Sequence, residues 1–315
     1  MEVKKIRNLF PEIEVSRFNL AAWQNPGSDS VVLIGREVAE AGKKDEPDVG
    51  VLKMFETDGE GNVINERVLW KPIYEGLSLE DPRALVVAED KISIGLTAVL
   101  RDKAGRAVPF PAIAKIDYLS SWKEELPPIL IVSSFGPGKN LTPVDQDTYL
   151  FRPESAEYNH KLILFSIDKQ IPKKLTEIEF PKDLEWAKWR IGTTMSPIWL
   201  NANEALFLVH GITIREIDGV KKYVYSIGRA KLSKNKEGYS LKVCPEPIIT
   251  PDNFLNERGE PMVQELHPEL RRVVYSCGGL VKKDNSDSLF LYVNVGDKST
   301  FEVELSLEEL KKGLF

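Results

Sequence analysis

The chain has 315 residues, with 42 lysine and arginine residues against 48 aspartate and glutamate residues, and its formal net charge is −6. This balance leaves no surplus of positive charge to neutralise phosphates along a nucleic acid, so no nucleic-acid partner is predicted. No apolar stretch approaches the roughly 20 residues of a membrane-spanning helix, and charge and proline interrupt the amino-terminal region where a secretory signal would be apolar. We therefore expect a cytoplasmic protein with no membrane partner. The two cysteines, Cys244 and Cys277, are too few for a disulfide framework and are expected to be reduced.

Short β-rich runs follow one another along the chain and are separated by turn signals such as the Asp-Gly pair at residues 58–59. In chain order, the predicted strands are residues 30–35, 49–55, 84–88, 92–99, 112–117, 129–133, 161–167, 205–214, 222–232, 272–276 and 288–295. One short helix is predicted at residues 307–312, because Ser306 and Glu309 have the spacing of a capping box. The sequence therefore predicts an all-β fold with a short C-terminal helix.

The chain shows no glycine- or serine-rich linker, which favours a single domain over residues 1–315. Many short strands over this length suit either a large sandwich or a radial array of sheets. Five blades would have about 63 residues each, enough for four strands of about 5–6 residues and their loops. The sequence has no clear repeat of fixed period, so the strand pattern permits a propeller without requiring one.

The most informative segment is residues 80–83, which read Glu-Asp-Pro-Arg and are expected to form a loop directly before the predicted strand 84–88. A carboxyl group in such a loop could donate a proton to a leaving oxygen, if burial or a neighbouring charge keeps it protonated. The alternative is a solvated acidic turn in which Arg83 is an ion-pair partner. Residue types alone leave both interpretations open.

Residues 80–83 resemble the Glu-Asp-Pro-Arg signature of glycoside hydrolase family 130, the β-mannoside phosphorylases and mannosidases. The resemblance continues in order along nearly the whole chain. The other segments similar to family elements are residues 18–19, 32–36, 189–192, 196–198, 207–211, 273–279 and 291–297. The resemblance implies the family's five-bladed β-propeller fold.

The resemblance also implies an inverting enzyme that cleaves β-mannosidic bonds. Asp81 matches the proton donor, which acts in the phosphorylases through a sugar hydroxyl. Asn19, Arg36 and Asp297 match positions that hold the mannosyl unit at the cleavage point. These roles suit their chemistry, because carboxylates and guanidinium groups offer directional acceptors and donors to sugar hydroxyls.

Two further residues are candidates for the substrate site. Arg83 either contacts the substrate or orients Asp81, and the sequence leaves both roles open. Trp189 is the best candidate among the six tryptophans for a wall that stacks on a sugar ring, although most tryptophans in β proteins are packing residues.

Phosphorolysis also requires cationic or hydrogen-bonding side chains around inorganic phosphate. Arg190 and His210 match two phosphate-binding positions of the family, although a histidine beside an apolar strand is more often a core residue. A third family ligand, the arginine of a His-Arg-Pro element, has two possible alignments. In the preferred alignment, residues 165–167 replace the His-Arg-Pro element and the phosphate-binding arginine is lost. In the second alignment, Arg152 supplies this arginine.

The leading hypothesis is phosphorolysis of a β-linked manno-oligosaccharide, with release of α-mannose 1-phosphate. The first alternative is a phosphate-independent β-mannosidase, which would need a second carboxylate as general base. Glu154, Glu185 and Glu265 are among the candidates, and spacing does not select one. The second alternative is a carbohydrate-binding propeller without catalysis. No metal or other cofactor is expected, phosphate would be a co-substrate, and the sequence is compatible with a homo-oligomer.

Overall fold

The structure is a computed structural model that describes residues 3–11, 14–24, 29–39, 50–71, 77–88, 91–102, 105–117, 129–217, 219–236, 238–268 and 271–314. Its strands form five sheets, antiparallel except for one short parallel pair, arranged as the blades of a β-propeller, which confirms the predicted fold class. Among the described residues, no helix has the length and apolar character needed to cross a membrane.

The strands are numbered in chain order. They are β1 (Val3–Asn8), β2 (Ser16–Gln24), β3 (Val31–Val38), β4 (Val51–Thr57), β5 (Val63–Trp70), β6 (Leu77–Ala88), β7 (Lys91–Arg101), β8 (Ala107–Asp117), β9 (Leu130–Ile131), β10 (Gly138–Pro143), β11 (Thr148–Pro153), β12 (Lys161–Asp168), β13 (Ile171–Glu179), β14 (Arg190–Thr193), β15 (Ile198–Trp199), β16 (Glu204–Ile217), β17 (Val220–Asn235), β18 (Gly238–Val243), β19 (Arg271–Arg272), β20 (Val274–Lys282), β21 (Asn285–Val295) and β22 (Ser299–Ser306). Short 3₁₀ turns lie at Ala156–Tyr158, Glu185–Ala187 and Pro251–Phe254.

Consecutive strands form each blade, and the first strand of a blade lies nearest the axis. Blade 1 contains β2 to β5, blade 2 contains β6 to β9, and blade 3 contains β10 to β13. Blade 4 contains β14 to β18, with β19 paired to β17. Blade 5 contains β20 to β22 and takes β1 as its outermost strand. The first and last strands of the described chain, β1 and β22, therefore pair within one sheet and close the ring.

Hydrophobic side chains fill the spaces between neighbouring blades. Val32 and Ile34 of blade 1 pack with Ile94 and Leu96 of blade 2. Equivalent clusters join blades 3 and 4 and blades 4 and 5. These residues alternate along their strands because successive side chains point to opposite faces of a sheet. The sheets are thus held face to face around a common axis.

The strands nearest the axis are interrupted by bulges that carry polar residues. Register shifts in β2, β6 and β10 coincide with Asn19, Asp81 and Asn140, which have φ angles of 56°, 52° and 61°. Asparagine and aspartate tolerate this left-handed region better than most residues. The expectation that residues 80–83 form a loop before the strand was therefore wrong. They lie within β6, where the bulge at Asp81 breaks the alternation.

The C-terminal helix α1 (Leu307–Lys311) is confirmed, and Ser306 Oγ accepts a hydrogen bond from the Glu309 amide at 3.4 Å. Both cysteines are buried and unpaired. The sequence did not predict ten of these strands, namely β1, β2, β5, β10, β11, β13, β14, β15, β18 and β22. Residue 49 of a predicted strand lies outside the described residues, and only Leu130–Ile131 of the predicted strand 129–133 is extended.

The contact between blades 1 and 5 predicts the effect of one added methyl group. A Cβ atom at Gly278 would lie 2.5 Å from Leu20 O and 2.6 Å from Ala22 N, both backbone atoms of β2. We expect Gly278→Ala to lower the free energy of unfolding by about 1–3 kcal/mol through overpacking. A Cβ atom at Gly59 would have its nearest neighbour 3.8 Å away, so Gly59→Ala should change the free energy of unfolding by less than about 0.5 kcal/mol. Urea denaturation measures the free energy of unfolding of both variants. Equal values for Gly278→Ala and Gly59→Ala would contradict the close packing of Gly278 against β2.

Candidate active site

Asp81 begins a chain of hydrogen bonds that crosses three parts of the sequence. Asn19 Nδ2 donates to Asp81 Oδ1 at 2.6 Å. Asn294 Nδ2 donates to Asn19 Oδ1 at 2.9 Å and to Asp297 Oδ1 at 2.7 Å. This hydrogen bond to Oδ1 fixes the orientation of the Asp81 carboxyl group. The structure thus brings together Asn19, Asp81 and Asp297.

Two ion pairs flank this chain. Asp297, in the turn after β21, has a φ of 53°, and its Oδ2 lies 2.9 Å from an Nη atom of Arg271. In the second pair, the Arg36 guanidinium lies 3.3 Å from a carboxylate oxygen of Glu80 and 5.0 Å from the ring centre of Phe18. Both pairs are largely buried, which restricts the orientation of the side chains that face the site.

Arg83 lies beneath Asp81 and is 0 % exposed. Its Nη1 donates to the backbone oxygen of Asp81 at 2.8 Å, and its Nε donates to Thr194 O at 2.9 Å. Its Nη2 donates to Asn140 Oδ1 at 3.2 Å and to the hydroxyl of Tyr275. Because the guanidinium is fully buried, the geometry favours the positioning role over the substrate contact, the two roles that the sequence left open.

A second cluster contains two arginines joined by a carboxylate. Glu154 accepts hydrogen bonds from Arg152 Nη2 at 2.9 Å and from Arg190 Nη1 at 3.0 Å. Arg190 Nε also donates to Asn159 Oδ1 at 3.0 Å. Burial alone would raise the pKa of Glu154, but the two arginines outweigh it and hold the pKa below its usual value. The carboxylate is therefore a permanent anion at neutral pH.

Arg152 is only 4 % exposed, and its Nε and Nη1 atoms have no hydrogen-bond partner among the described residues. Buried donors are rarely left without an acceptor, so these two atoms are the main indication of an anion ligand. In the alignment preferred from the sequence, Ser166 takes the position of the family arginine, and Phe165 beside it is packed against Tyr149 and Phe151. This arrangement favours the alignment in which Arg152 supplies the arginine.

His210 lies on β16 between the two clusters. It is 2 % exposed, and its ring centre is 4.6 Å from that of Tyr275. Burial lowers the pKa of His210 well below 6.5, and the charges of Arg152 and Arg83 lower it further. The imidazole is therefore neutral at physiological pH.

Aromatic side chains continue the site along blade 4. Trp189 is half-buried, its ring centre is 4.6 Å from that of Tyr223, and the Arg190 guanidinium lies 4.6 Å from the tryptophan ring. Burial raises the pKa of the Tyr225 hydroxyl, and the nearby charge of Asp297 raises it further. The positive charges of Arg271, Arg152 and Arg190 act in the opposite direction. Trp189 thus lies beside the arginine cluster, with an exposed aromatic neighbour.

Glu265 lies against the turn that carries Asp297. Its Oε1 accepts the Val273 amide at 3.3 Å, and its Oε2 is buried without a hydrogen-bond partner among the described residues. Gly296 has a φ of 68°, and a Cβ atom at this position would lie 3.0 Å from the Glu265 Cα, so a larger residue would be strained and would crowd Glu265. Burial raises the pKa of Glu265 to about 7. The neighbouring charge of Asp297 also raises it, while Arg272 and Lys222 lower it.

Sequence reasoning missed several residues of this region. Asn140, Arg271 and Tyr225 were not considered, and Asn294 and Tyr275 were noted only as parts of similar segments. No local signal distinguishes them, because each belongs to a different blade or turn and its partners are distant in sequence. A repeated Asn or Asp at the centre of the first strand in three blades is the signal that could have identified Asn140.

The buried position of Arg83 predicts a large loss of stability on its replacement. Arg83→Met removes the hydrogen bonds of the guanidinium to the backbone oxygens of Asp81 and Thr194, to Asn140 Oδ1 and to the Tyr275 hydroxyl. Each buried group that is left unsatisfied costs about 1–3 kcal/mol. We expect unfolding free energy to fall by about 3 kcal/mol or more in urea titrations. The control is Arg106→Met, where the side chain is 80 % exposed and its ion pair with Asp102 contributes about 0–1 kcal/mol. Similar losses in both variants would contradict the network.

The pKa of Glu265 predicts a pH-dependent stability. Its value of about 7 in the folded protein exceeds the ordinary 4.5, so folding favours the protonated form. This contribution is complete below about pH 4.5 and is lost as the pH rises through about 7. Between pH 5 and 8 we therefore expect the Tm of wild type to fall relative to Glu265→Gln. In the control Glu246→Gln, at an exposed position, the difference in Tm from wild type should not change over this pH range. A pH-independent difference in Tm between wild type and Glu265→Gln would contradict the burial of Glu265.

Comparison with known proteins identifies structural relatives only. No protein-family model and no curated protein sequence matches the chain. Among solved structures, β-1,2-mannobiose phosphorylase from Listeria innocua has a TM-score of 0.69 at 16% identity, over 96% of this chain and 94% of that one.

Two other solved structures show the same fold. Mannose phosphorylase MPT-4 from Leishmania mexicana, in complex with a phosphate ion, has a TM-score of 0.61 at 14% identity, over 97% of this chain and 89% of that one. A structure from work on glycoside hydrolases of family 130 that target β-1,2 mannosidic linkages in Candida mannan has a TM-score of 0.65 at 14% identity, over 93% and 85%. At these identities the comparisons show that this chain shares the fold of proteins from glycoside hydrolase family 130.

Proposed function

We propose that this protein is an inverting β-mannoside phosphorylase of glycoside hydrolase family 130. The observation that carries the proposal is Arg152, whose two unpartnered, buried donors lie beside Arg190 and His210. The similar structures support it, because one is a β-1,2-mannobiose phosphorylase and another contains a phosphate ion.

In this proposal the mannosyl unit binds along the chain of hydrogen bonds from Asp81 to Asp297. Asp297 and Asn19 offer acceptors and donors to ring hydroxyls, and Arg36 contributes a guanidinium held by Glu80. Trp189 forms an apolar wall beside the arginine cluster, where a sugar ring can stack.

Phosphate binds at the arginine cluster and attacks the anomeric carbon. The new C–O bond forms to a phosphate oxygen while the glycosidic C–O bond breaks. The leaving oxygen receives a proton that originates from the Asp81 carboxyl group, and attack from the opposite face gives α-mannose 1-phosphate. Arg152 and Arg190 stabilise the phosphate, and because they are preorganised by Glu154 they need little rearrangement during the reaction.

Hydrolysis is the second candidate, and Glu265 is the observation that favours it. A carboxyl with a pKa of about 7 is suited to act as a general base. However, its Oε2 is buried, and its Oε1 already accepts the Val273 amide. Glu154 is a weaker base still, because its pKa is lowered by two arginines. Phosphorolysis therefore accounts for more of the site than hydrolysis does.

The decisive experiment incubates the protein with β-1,2- and β-1,4-mannobiose, with and without inorganic phosphate. We expect mannose 1-phosphate to form only when phosphate is present. Free mannose at equal rates in both conditions would instead identify a hydrolase and overturn phosphorolysis. Binding of mannobiose without any turnover would identify a carbohydrate-binding propeller.

The same assay tests the proton donor. Asp81→Asn keeps an acceptor for Asn19 but removes the proton, so turnover should fall about 100-fold or more while the Tm changes little. The control is Asp287→Asn, at an exposed position on β21, which should leave turnover unchanged. Wild-type turnover in Asp81→Asn would exclude Asp81 as the donor.

A further inference from the structure

One nitrogen of His210 is fixed as a donor by the backbone. Its Nδ1 lies 3.0 Å from the carbonyl oxygen of Thr193. A carbonyl oxygen can only accept a hydrogen bond, so Nδ1 carries a hydrogen. In the neutral imidazole the other nitrogen, Nε2, is then a bare acceptor.

The surroundings of His210 keep it neutral and leave space at Nε2. Arg83, Arg152 and Arg190 all disfavour a positive charge on the ring, and burial acts in the same direction. A Cβ atom at residue 192 would lie 2.9 Å from Nε2 and 2.5 Å from Asn140 Nδ2, so the absence of a side chain at Gly192 leaves room between the imidazole and this amide. No described residue donates a hydrogen bond to Nε2.

The proposed phosphate site therefore combines donors with one uncharged acceptor. Arg152 supplies two free N–H groups that suit bare anionic oxygens. His210 Nε2 suits the opposite kind of group, an oxygen that carries a hydrogen. Hydrogen phosphate has both kinds of oxygen at neutral pH, whereas sulfate has four bare oxygens.

We propose that His210 Nε2 accepts a hydrogen bond from the P–OH group of hydrogen phosphate, and that the site thereby selects phosphate and arsenate over sulfate. This inference rests on the proposed phosphate site. With sulfate, the lone pair of Nε2 would face an oxygen lone pair, and a buried acceptor would be left unsatisfied. Sites that hydrogen-bond a hydroxyl discriminate strongly against analogues that lack it.

Glu154 is the other acceptor at this cluster, and it provides the control. Each of its carboxylate oxygens already accepts a hydrogen bond from one arginine. It is therefore assigned to holding the guanidinium groups in place rather than to recognising the proton on the anion. Replacing it should weaken the binding of every anion without changing their order.

The test measures binding of phosphate, arsenate and sulfate to the full chain by calorimetry at pH 7.5 and constant ionic strength set with chloride. We expect wild type to bind phosphate and arsenate at least about tenfold more tightly than sulfate. In His210→Gln, whose amide can turn its NH₂ group towards a bare oxygen, the ratio should fall to about threefold or less. In Glu154→Gln the ratio should remain at the wild-type value.

Equal binding of sulfate and phosphate by wild type would overturn the inference and leave the phosphate site intact. Absence of binding by all three anions would overturn the phosphate site as well. Unchanged discrimination in His210→Gln, or its loss in Glu154→Gln, would assign the recognition to another group. If His210→Gln fails to fold, the wild-type ratio and the Glu154→Gln ratio still decide the question.

Discussion

The buried guanidinium of Arg83 is the interaction on which the rest of the site depends. From blade 2 it reaches Asn140 in blade 3, Thr194 beside β14 of blade 4, and Tyr275 in blade 5. It also holds the backbone oxygen of Asp81, whose left-handed φ is uncommon for a residue with a side chain. One cation at the axis thus fixes both the relative positions of four blades and the direction in which Asp81 points.

The first strands of three blades share one backbone feature, and the residue at this feature has a different chemical role in each blade. In blades 1, 2 and 3 a bulge turns a short polar side chain out of the first strand, and the residue is Asn19, Asp81 or Asn140. The carboxyl lies between two carboxamides in this series, and each amide has a separate task. Asn19 bonds to Asp81 directly, whereas Asn140 accepts from Arg83 and Tyr275. The fold therefore supplies equivalent positions, and the residue type at each one determines its role.

The resemblance of the ordered motifs to glycoside hydrolase family 130 implied the five-bladed fold, which the strand pattern alone only permitted. The same resemblance selected Asp81, Asn19 and Asp297, which belong to one chain of hydrogen bonds in the structure. Prediction from sequence failed where the pattern depends on backbone geometry, as in β6, because a bulge interrupts the alternation that indicates a strand. The spacing of residues in the sequence could not predict that Arg152 and Arg190 share the carboxylate of Glu154, because this contact depends on how blades 3 and 4 pack together. Net charge was equally uninformative, because a chain of −6 overall concentrates three arginines around His210.

The pairing of β1 with β22 gives the site a particular order of assembly. Asn19 and Asn294, which share a hydrogen bond, are 275 residues apart, and the sheet that closes the ring contains both ends of the described chain. Strand β2 of the first blade can therefore contact β20 and β21 of the last blade only after almost the entire polypeptide has been synthesised. Contacts of such long sequence separation slow folding and prolong the exposure of unpaired strand edges. The hydrogen bonds that join Asn19, Asn294 and Asp297 can therefore form only late in folding, when blade 5 packs against blade 1.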